Sequence, residues 1–475
     1  MNRWAQMAMA CAVGVTPRGA RAVEYDLTAE TFAQAYQARG PYGAPVISAR
    51  RLTQILSFST SHRFDEGRGA TVLFRFRLRF DGEFGDNCGG ATGRCLEESN
   101  ADRRTDWVPG FSRRSVDVPY AYVAINGLGK GRVDMMLGRI MTTDVLGFFL
   151  HDGGMLQVHL APWILLQTYG GLEVRGGFPL SDSRFERDGA TRADRGAWDG
   201  SRAPWIADRR YAPVVSMSIQ AHQLGRYFAR ATYRRVQTSD GIAEEKLGAS
   251  VDATPTAAIR LSGRAVFSVP QRQLSTLEVA ADWRYSSRLL LRLQLQRMRP
   301  TFDQTTIWNS FWMDPIDEAR VVSALRLQPS MQITLNALAR RYALSELGPS
   351  TNAATAVDQY TVGATGALSV QKPSWELCLR GTAEGGSVAA RGGVDFTVAV
   401  QPWRDWLLLN ASVSLWTNSE PLRPSRSGTS VALVGGTVVR LTPFARLHVD
   451  GELDSNPLVG QRFRVMSTLV LSAQP

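Results

Sequence analysis

The sequence predicts an all-β protein, a single large antiparallel up-and-down transmembrane β-barrel of about 20–22 strands. Three observations point there. Apolar and polar residues alternate with a period of two along most of the chain from Ser48 onward, as a strand requires when it sends successive side chains to opposite faces. Tight Pro- or Ser-marked turns take turns with long connections, the asymmetry of a barrel with one trimmed end. Beyond Ala22 there is no apolar run of about 18 residues that could serve as a membrane-spanning helix.

The first stretch, MNRWAQMAMACAVGVTPRGARA, carries Arg3, an apolar core from Trp4 to Val15, and Ala20-Arg21-Ala22. It reads as a signal peptide over residues 1–22, cleaved after Ala22. Cys11 sits early in it, and Ala8-Met9-Ala10 lacks the large aliphatic residue of a lipidation site. Residues 23–48 are expected to form an N-terminal periplasmic segment with a short helix over Thr28–Gln37 (TAETFAQAYQ), and residues 49–475 the barrel.

Strands are expected at 49–62, 70–84, 114–125, 132–140, 154–161, 164–174, 212–222, 226–238, 244–254, 257–268, 273–285, 288–298, 318–328, 331–342, 357–369, 374–384, 392–401, 405–417, 429–440, 443–454 and 461–472. The clearest is TVLFRFRLRFDGEFG at 71–85, where Phe74, Phe76, Leu78 and Phe80 alternate with Arg75, Arg77 and Arg79. At about 3.4 Å per residue the guanidinium groups stand about 7 Å apart on one face. An arginine facing lipid at mid-membrane costs about 2–4 kcal/mol, so in a spanning strand these three must face the interior. The same reasoning turns Arg230, Arg234, Arg260, Arg264, Arg292, Arg326, Arg380, Arg446 and Arg464 inward as pore-lining residues, with Glu278, Asp282, Glu376, Glu384, Asp450 and Glu452 on the same parity. This number of strands falls one short of a pair-wise count, so either a strand near 40–50 is missing or one is split at Leu160-Ala161-Pro162.

Tight turns fall at Thr254-Pro255-Thr256, Ser286-Ser287, Gln328-Pro329-Ser330, Gln371-Lys372-Pro373, Gln401-Pro402-Trp403 and Leu441-Thr442-Pro443, with longer connectors at 299–317, 343–356, 385–391 and 418–428. Trp163, Trp283, Trp375, Trp403 and Trp406 lie beside short turns, and Trp308, Trp312 and Trp416 beside long ones. Aromatics at both ends are expected as interfacial girdles.

The formal charge is +11, and loss of Arg3, Arg18 and Arg21 with the signal leaves +8. Nearly all of the 54 basic residues are arginine; the lysines are Lys130, Lys246 and Lys372. A soluble chain of 475 residues would divide into domains of about 100–200 residues, and no linker composition marks a division. Cys88 and Cys95 bracket GGATGR and read as a local disulfide in an oxidising compartment, with a zinc pair as the alternative. Cys378 reads as a packing residue on a strand. His62, His151, His159, His222 and His448 are scattered, so no metal site is expected. No nucleophile elbow, Ser-His-Asp set or Glu-x-x-His cluster is present, and no enzyme activity, cofactor or nucleic acid is expected.

The stretch LGRIMTTDVLGFFLHDGGMLQVHLAPWILLQTYGG at 137–171 resembles Gram-negative outer-membrane barrels of the porin and alginate-export type. The points of resemblance are a Leu-Gly-Arg strand end, an irregular outer loop, then Asp-Gly opening the next hairpin. The resemblance implies an outer-membrane location and a loop that can fold into the lumen, for which Thr142–Asp152 is the candidate; the other reading is an ordinary surface loop. The chain departs from the family's usual aromatic ending with Leu469-Val470-Leu471-Ser472-Ala473-Gln474-Pro475. The expected function is a channel for small solutes, with anions favoured by an arginine-rich lumen. The expected partners are outer-membrane lipid, the barrel-assembly machinery and further copies of the chain. The alternative is a barrel serving as an export component or surface enzyme.

Overall fold

Each strand pairs antiparallel with its sequence neighbours, and the first pairs with the last. The computed structural model describes residues 24–39, 45–63, 70–83, 114–174, 212–222, 226–238, 241–299, 315–342, 359–386, 389–403, 406–419, 427–457 and 460–473. The strands are β1 (Glu24–Arg39), β2 (Pro45–Arg63), β3 (Thr71–Glu83), β4 (Arg114–Gly127), β5 (Val133–Asp144), β6 (Gly147–Ala161), β7 (Ile164–Glu173), β8 (Pro213–Ala221), β9 (Tyr227–Thr238), β10 (Gly241–Thr256) and β11 (Ile259–Ser268). They continue with β12 (Gln273–Arg284), β13 (Leu289–Met298), β14 (Ile316–Gln328), β15 (Met331–Tyr342), β16 (Gln359–Lys372), β17 (Trp375–Gly386), β18 (Ala390–Trp403), β19 (Leu407–Ser419), β20 (Gly428–Thr442), β21 (Ala445–Asn456) and β22 (Gly460–Ala473). Together they make one 22-stranded sheet, closed by β1 against β22 from Leu27↔Ala473 to Arg39↔Gln461. Closure leaves no unpaired edge.

Two expectations change here. Thr28–Gln37 is not a helix but the middle of β1, and the barrel begins at Glu24 rather than at residue 49. Ala, Glu and Gln favour helices in isolation, and the outward positions Ala29, Ala33 and Ala35 are too small to make alternation legible. Pairing along both edges, with β2 and with β22, decides the matter. This is the strand that the pair-wise count lacked, although it lies at Glu24–Arg39 and not near 40–50; nothing is split at Pro162, where β6 turns tightly into β7. The proposed signal, the Cys88–Cys95 pair, Trp308 and Trp312 lie outside the described residues.

Cross-strand register fixes which side chains share a face. Phe58 stands opposite Phe76, and Phe74 opposite Val123, on one face; Phe58, Phe74 and Val123 are exposed at 36%, 37% and 40%. Trp283, Leu293, Val321, Leu335, Val362, Leu379, Val413, Leu433 and Leu453 continue that apolar face around the barrel. The other face is polar: Arg77 on β3 stands beside Ser57 and Glu30, and Arg464 beside Glu452 and Tyr36. It is the inner face, because a second segment of the chain is packed against it, as described below.

The connections sort by end. At one end they are short, such as 162–163, 257–258, 329–330, 373–374 and 443–444; the other end carries 84–113, 174–212, 299–315 and 343–358. Trp163, Trp283, Trp375, Trp403 and Trp406 are exposed at the short-turn end, and Trp403 stacks on Trp406 at 4.9 Å. Trp416 differs from expectation: its indole N–H donates to Asp395 at 3.0 Å on the inner face, so it belongs to the lumen and not to a girdle. Among the described residues no helix is long and apolar enough to cross a membrane.

Candidate functional site

Among the described residues one element stands off the inner face of the wall. β5 pairs with β4 only from Ile125↔Met135 to Ala121↔Arg139, and β6 meets β7 only from His151↔Glu173 onward. Residues 140–150 therefore extend beyond both neighbours as a free hairpin, paired with itself from Ile140↔His151 to Asp144↔Gly147. Its turn is tight, with the Asp144 carboxylate accepting the Leu146 N–H at 2.7 Å. The expected loop at Thr142–Asp152 is thus an ordered two-stranded hairpin, and it folds inward.

The pivot is built of glycine. Gly138 has φ +133°, and a Cβ there would come within 2.2 Å of the Ala121 carbonyl oxygen. Opposite it, a Cβ on Gly153 would stand 2.1 Å from the Gly170 carbonyl oxygen. At this bend strand backbones approach more closely than any side chain permits.

From the pivot the hairpin lies along the inner wall of β7–β11. Its tip residues Val145 and Leu146 are buried with Val266 of β11. The tip sits directly over Gly248 of β10, where a Cβ would meet Leu146 and Val145 side-chain carbons at 2.5 and 2.6 Å. Arg264 donates its Nε–H to the Val145 carbonyl at 2.9 Å. Nearer the pivot, Ile140 and Phe149 pack with Met155, Tyr169, Val214 and Val236. His151 is fully buried and stacks on Tyr169 at 4.5 Å between ring centres. Two layers of sheet thus form a core inside the barrel, on one side of it.

Several polar groups under the hairpin pair with one another, while both ring nitrogens of His151 are buried without a hydrogen bond among the described residues. Arg234 lies 4.3 Å from the Phe149 ring centre and donates to Glu244 at 2.8 Å. Lys246 reaches the other Glu244 oxygen at 3.0 Å. Arg230 donates to Gln167 at 3.2 Å and approaches the Ser218 hydroxyl at 3.5 Å. Ser218 and Thr232 share a hydrogen bond at 2.7 Å. Arg234 and Glu244 are almost wholly buried, and removing one partner of such a pair costs about 3–5 kcal/mol. Glu244→Gln is expected to lower the unfolding midpoint in detergent accordingly, whereas an Arg234→Met, Glu244→Leu, Lys246→Met triple variant, which leaves no charge of the cluster unpaired, recovers most of the loss. Heat-dependent gel mobility reads both.

The remaining arginines named from the sequence spread around the wall. Arg75, Arg77 and Arg79 stand on one face of β3, with Arg77 donating to Glu30 at 3.0 Å. Arg260 pairs with Asp252 at 2.6 Å and Arg292 with Asp282 at 3.2 Å. Arg464 meets Glu452, which also accepts from Arg462. By register Arg326 stands opposite Gln332, Arg380 opposite Asp395, and Arg446 opposite Arg440. Only Arg230, Arg234 and Arg264 gather at the hairpin. The sequence reading passed over Arg320 and Arg340, which share Glu318 at 2.6 Å each; parity alone places both inward. It also missed Glu244, because a bulge between Ile242 and Glu244 breaks the alternation there. Cys378 is a free thiol whose sulfur accepts from the Ser369 hydroxyl at 3.6 Å. Among the described residues no cluster of His, Cys, Asp and Glu is arranged to hold a metal ion.

No family model matches the chain, and no curated protein matches it. Among solved structures it is similar to Acinetobacter baumannii OccAB4, at 7% identity and TM-score 0.44 over 97% of this chain and 100% of that one. It is similar to Pseudomonas aeruginosa OpdK, solved with vanillate, at 10% identity and TM-score 0.43 over 95% and 99%. A BenF-like porin from Pseudomonas fluorescens Pf-5 gives 8% identity and TM-score 0.43 over 95% and 99%.

Proposed function

We infer that the chain is an outer-membrane channel of a Gram-negative bacterium, passing small solutes, anions in preference, through the part of the barrel that the inward hairpin leaves open. The observation that carries this reading is the pairing of an apolar outer face with a charged inner one around a closed 22-stranded wall. With strands about 4.8 Å apart and tilted about 40°, such a wall is about 44 Å across between backbones. One hairpin layer, about 10 Å thick, narrows that space from one side. The passage then runs between the exposed hairpin side chains Met141, Thr143 and Phe148 and the arginine-bearing wall of β11–β22 and β1–β3.

Arginine predominates over carboxylate on that wall, although ion pairs such as Arg260–Asp252 and Arg292–Asp282 neutralise part of it. Arg75, Arg77, Arg79, Arg230, Arg260, Arg264, Arg292, Arg326, Arg380, Arg446 and Arg464 are assigned to the lumen lining on this reading; Arg234, expected there from its parity, is instead buried beneath the hairpin against Phe149 and Glu244. A net positive wall concentrates anions by focusing the field in the lumen. The absence of a catalytic constellation in the sequence favours a channel over a surface enzyme, and insertion would call on the assembly machinery that other barrels use.

Purified protein in a planar bilayer tests the proposal. Stepwise conductance is expected, with a reversal potential under a potassium chloride gradient that reports chloride preference. A silent bilayer containing folded, inserted protein would favour the export or enzyme reading instead.

A further inference from the structure

On the outer face, near the end with the long connections, the register aligns one polar row across five strands. Leu277, Arg297, Asp317, Arg341 and Tyr360 stand directly opposite one another on β12–β16. Asp317 lies between the two arginines, 3.5 Å from Arg297 and 3.8 Å from Arg341. Arg297 and Asp317 remain about one third exposed and Arg341 43% exposed, and the row keeps one net positive charge on a largely apolar face whose other charges include Arg235 and Glu245 on β9 and β10.

The next row toward the short-turn end reads Val279, Leu295, Ala319, Ala339, Val362. The two alanines leave a trough flanked by Leu295 and Val362, both at least half exposed. In the following row, Leu293 and the half-exposed Val321 close the trough on one side beside Ala337 and Ala364. The resulting groove has a volume of 520 Å³, with Arg297, Asp317 and Arg341 at its mouth and alkyl side chains along its floor. Two strand spacings make it about 10 Å wide, the width of a pair of alkyl chains lying side by side.

We propose that this groove holds a membrane lipid with a phosphorylated headgroup, its acyl chains in the alanine trough and its phosphate at Arg297 and Arg341. This rests on the membrane reading above. Charge complementarity selects the occupant. Arginine presents a planar fork of donors matched to phosphate oxygens, and a cation at a lipid-facing position is costly unless it stands at headgroup level. Asp317 sits between the two guanidinium groups. It also subtracts from their attraction for an anion, which makes its replacement diagnostic.

The experiment uses the full chain reconstituted in nanodiscs of uncharged phosphatidylcholine containing a small fraction of lipid A, with co-purified lipid A quantified by native mass spectrometry. Arg297→Gln and Arg341→Gln are each expected to reduce retention about fivefold, the equivalent of about 1 kcal/mol per basic residue at a charged surface. Ala339→Leu, which fills the trough, is expected to reduce retention with both arginines present. Asp317→Asn is expected to raise it, which a purely structural ion-pair row would not do. Arg235→Gln, on the outer face away from the groove, serves as the control. Equal retention by wild type and the Arg297→Gln, Arg341→Gln double variant, with channel conductance intact, overturns this proposal alone. Failure of the wild-type chain to insert into uncharged bilayers overturns the membrane reading and this proposal together.

Discussion

Replacing Thr142–Phe149 by Asn-Gly is expected to roughly double single-channel conductance, because it removes a layer about 10 Å thick from one side of the lumen. The shortened hairpin keeps the Met141↔Leu150 and Ile140↔His151 pairs, and Asn-Gly closes a two-residue turn without strain. The wall itself is untouched, since β4–β5 pairing ends at Arg139 and β6–β7 pairing begins at His151, both outside the replaced segment. What is lost is the inner core: Phe149, Val145 and Leu146 leave, and Val236, Val214 and Val266 become wet. Ser216, Ser218 and Thr232, each at most 3% exposed in the intact protein, become reachable from the lumen. The thiol introduced by Ser218→Cys should therefore react with a water-soluble reagent in the shortened chain and resist it in the parent. Unchanged conductance, together with a thiol that stays protected in the shortened chain, would show that another part of the chain, not the hairpin, covers this wall. Gly153→Val provides the complementary test. Its side chain has nowhere to go at the 2.1 Å approach of the Gly170 carbonyl, so the hairpin cannot keep its inward path.

The wall was legible in the sequence because a barrel strand must satisfy two solvents at once. Where the outer side chains are large, as in Phe74, Phe76, Leu78 and Phe80, the alternation declares itself and gives the face of every neighbour. Where they are small, as in Ala29, Ala33 and Ala35 of β1, the same geometry leaves no trace and helix propensity speaks instead. The inward hairpin was half legible. The stretch from Thr142 to Asp152 stood out as irregular because its two faces are both partly buried: Ile140, Thr142 and Phe149 pack on the wall while Met141 and Phe148 face the lumen. Its partners were not legible, since the contact of Val145 with Arg264 joins positions far apart in the chain. The bond between Arg234 and Glu244 was hidden by a bulge that only the three-dimensional register reveals.

Neutralising the β3 stripe with Arg75→Gln, Arg77→Gln and Arg79→Gln is expected to move the channel toward cations, and to do so more strongly in dilute salt. Three unit charges about 10 Å from a permeating ion contribute about 1.2 kcal/mol in water before screening. Chloride and potassium feel it with opposite sign, so at 0.1 M ionic strength, where the Debye length is about 10 Å, roughly a fivefold change in the chloride-to-potassium permeability ratio is left; at 0.01 M the Debye length is about 30 Å, and the change grows to about twentyfold. Arg77 adds to this, because its removal also frees the Glu30 carboxylate it holds at 3.0 Å. The fold should survive: the stripe is neutralised in place, and Phe74, Phe76, Leu78 and Phe80 on the opposite face are unaltered. Arg235→Gln is the matched control, since Arg235 stands on the outer face opposite Val215 and Glu245 and should leave the ratio unchanged. A triple variant with parental selectivity at both salt concentrations would mean that the permeating ion never passes within a Debye length of β3, and the arginine stripe would then be a device for holding the wall together through Glu30 rather than for choosing what crosses it.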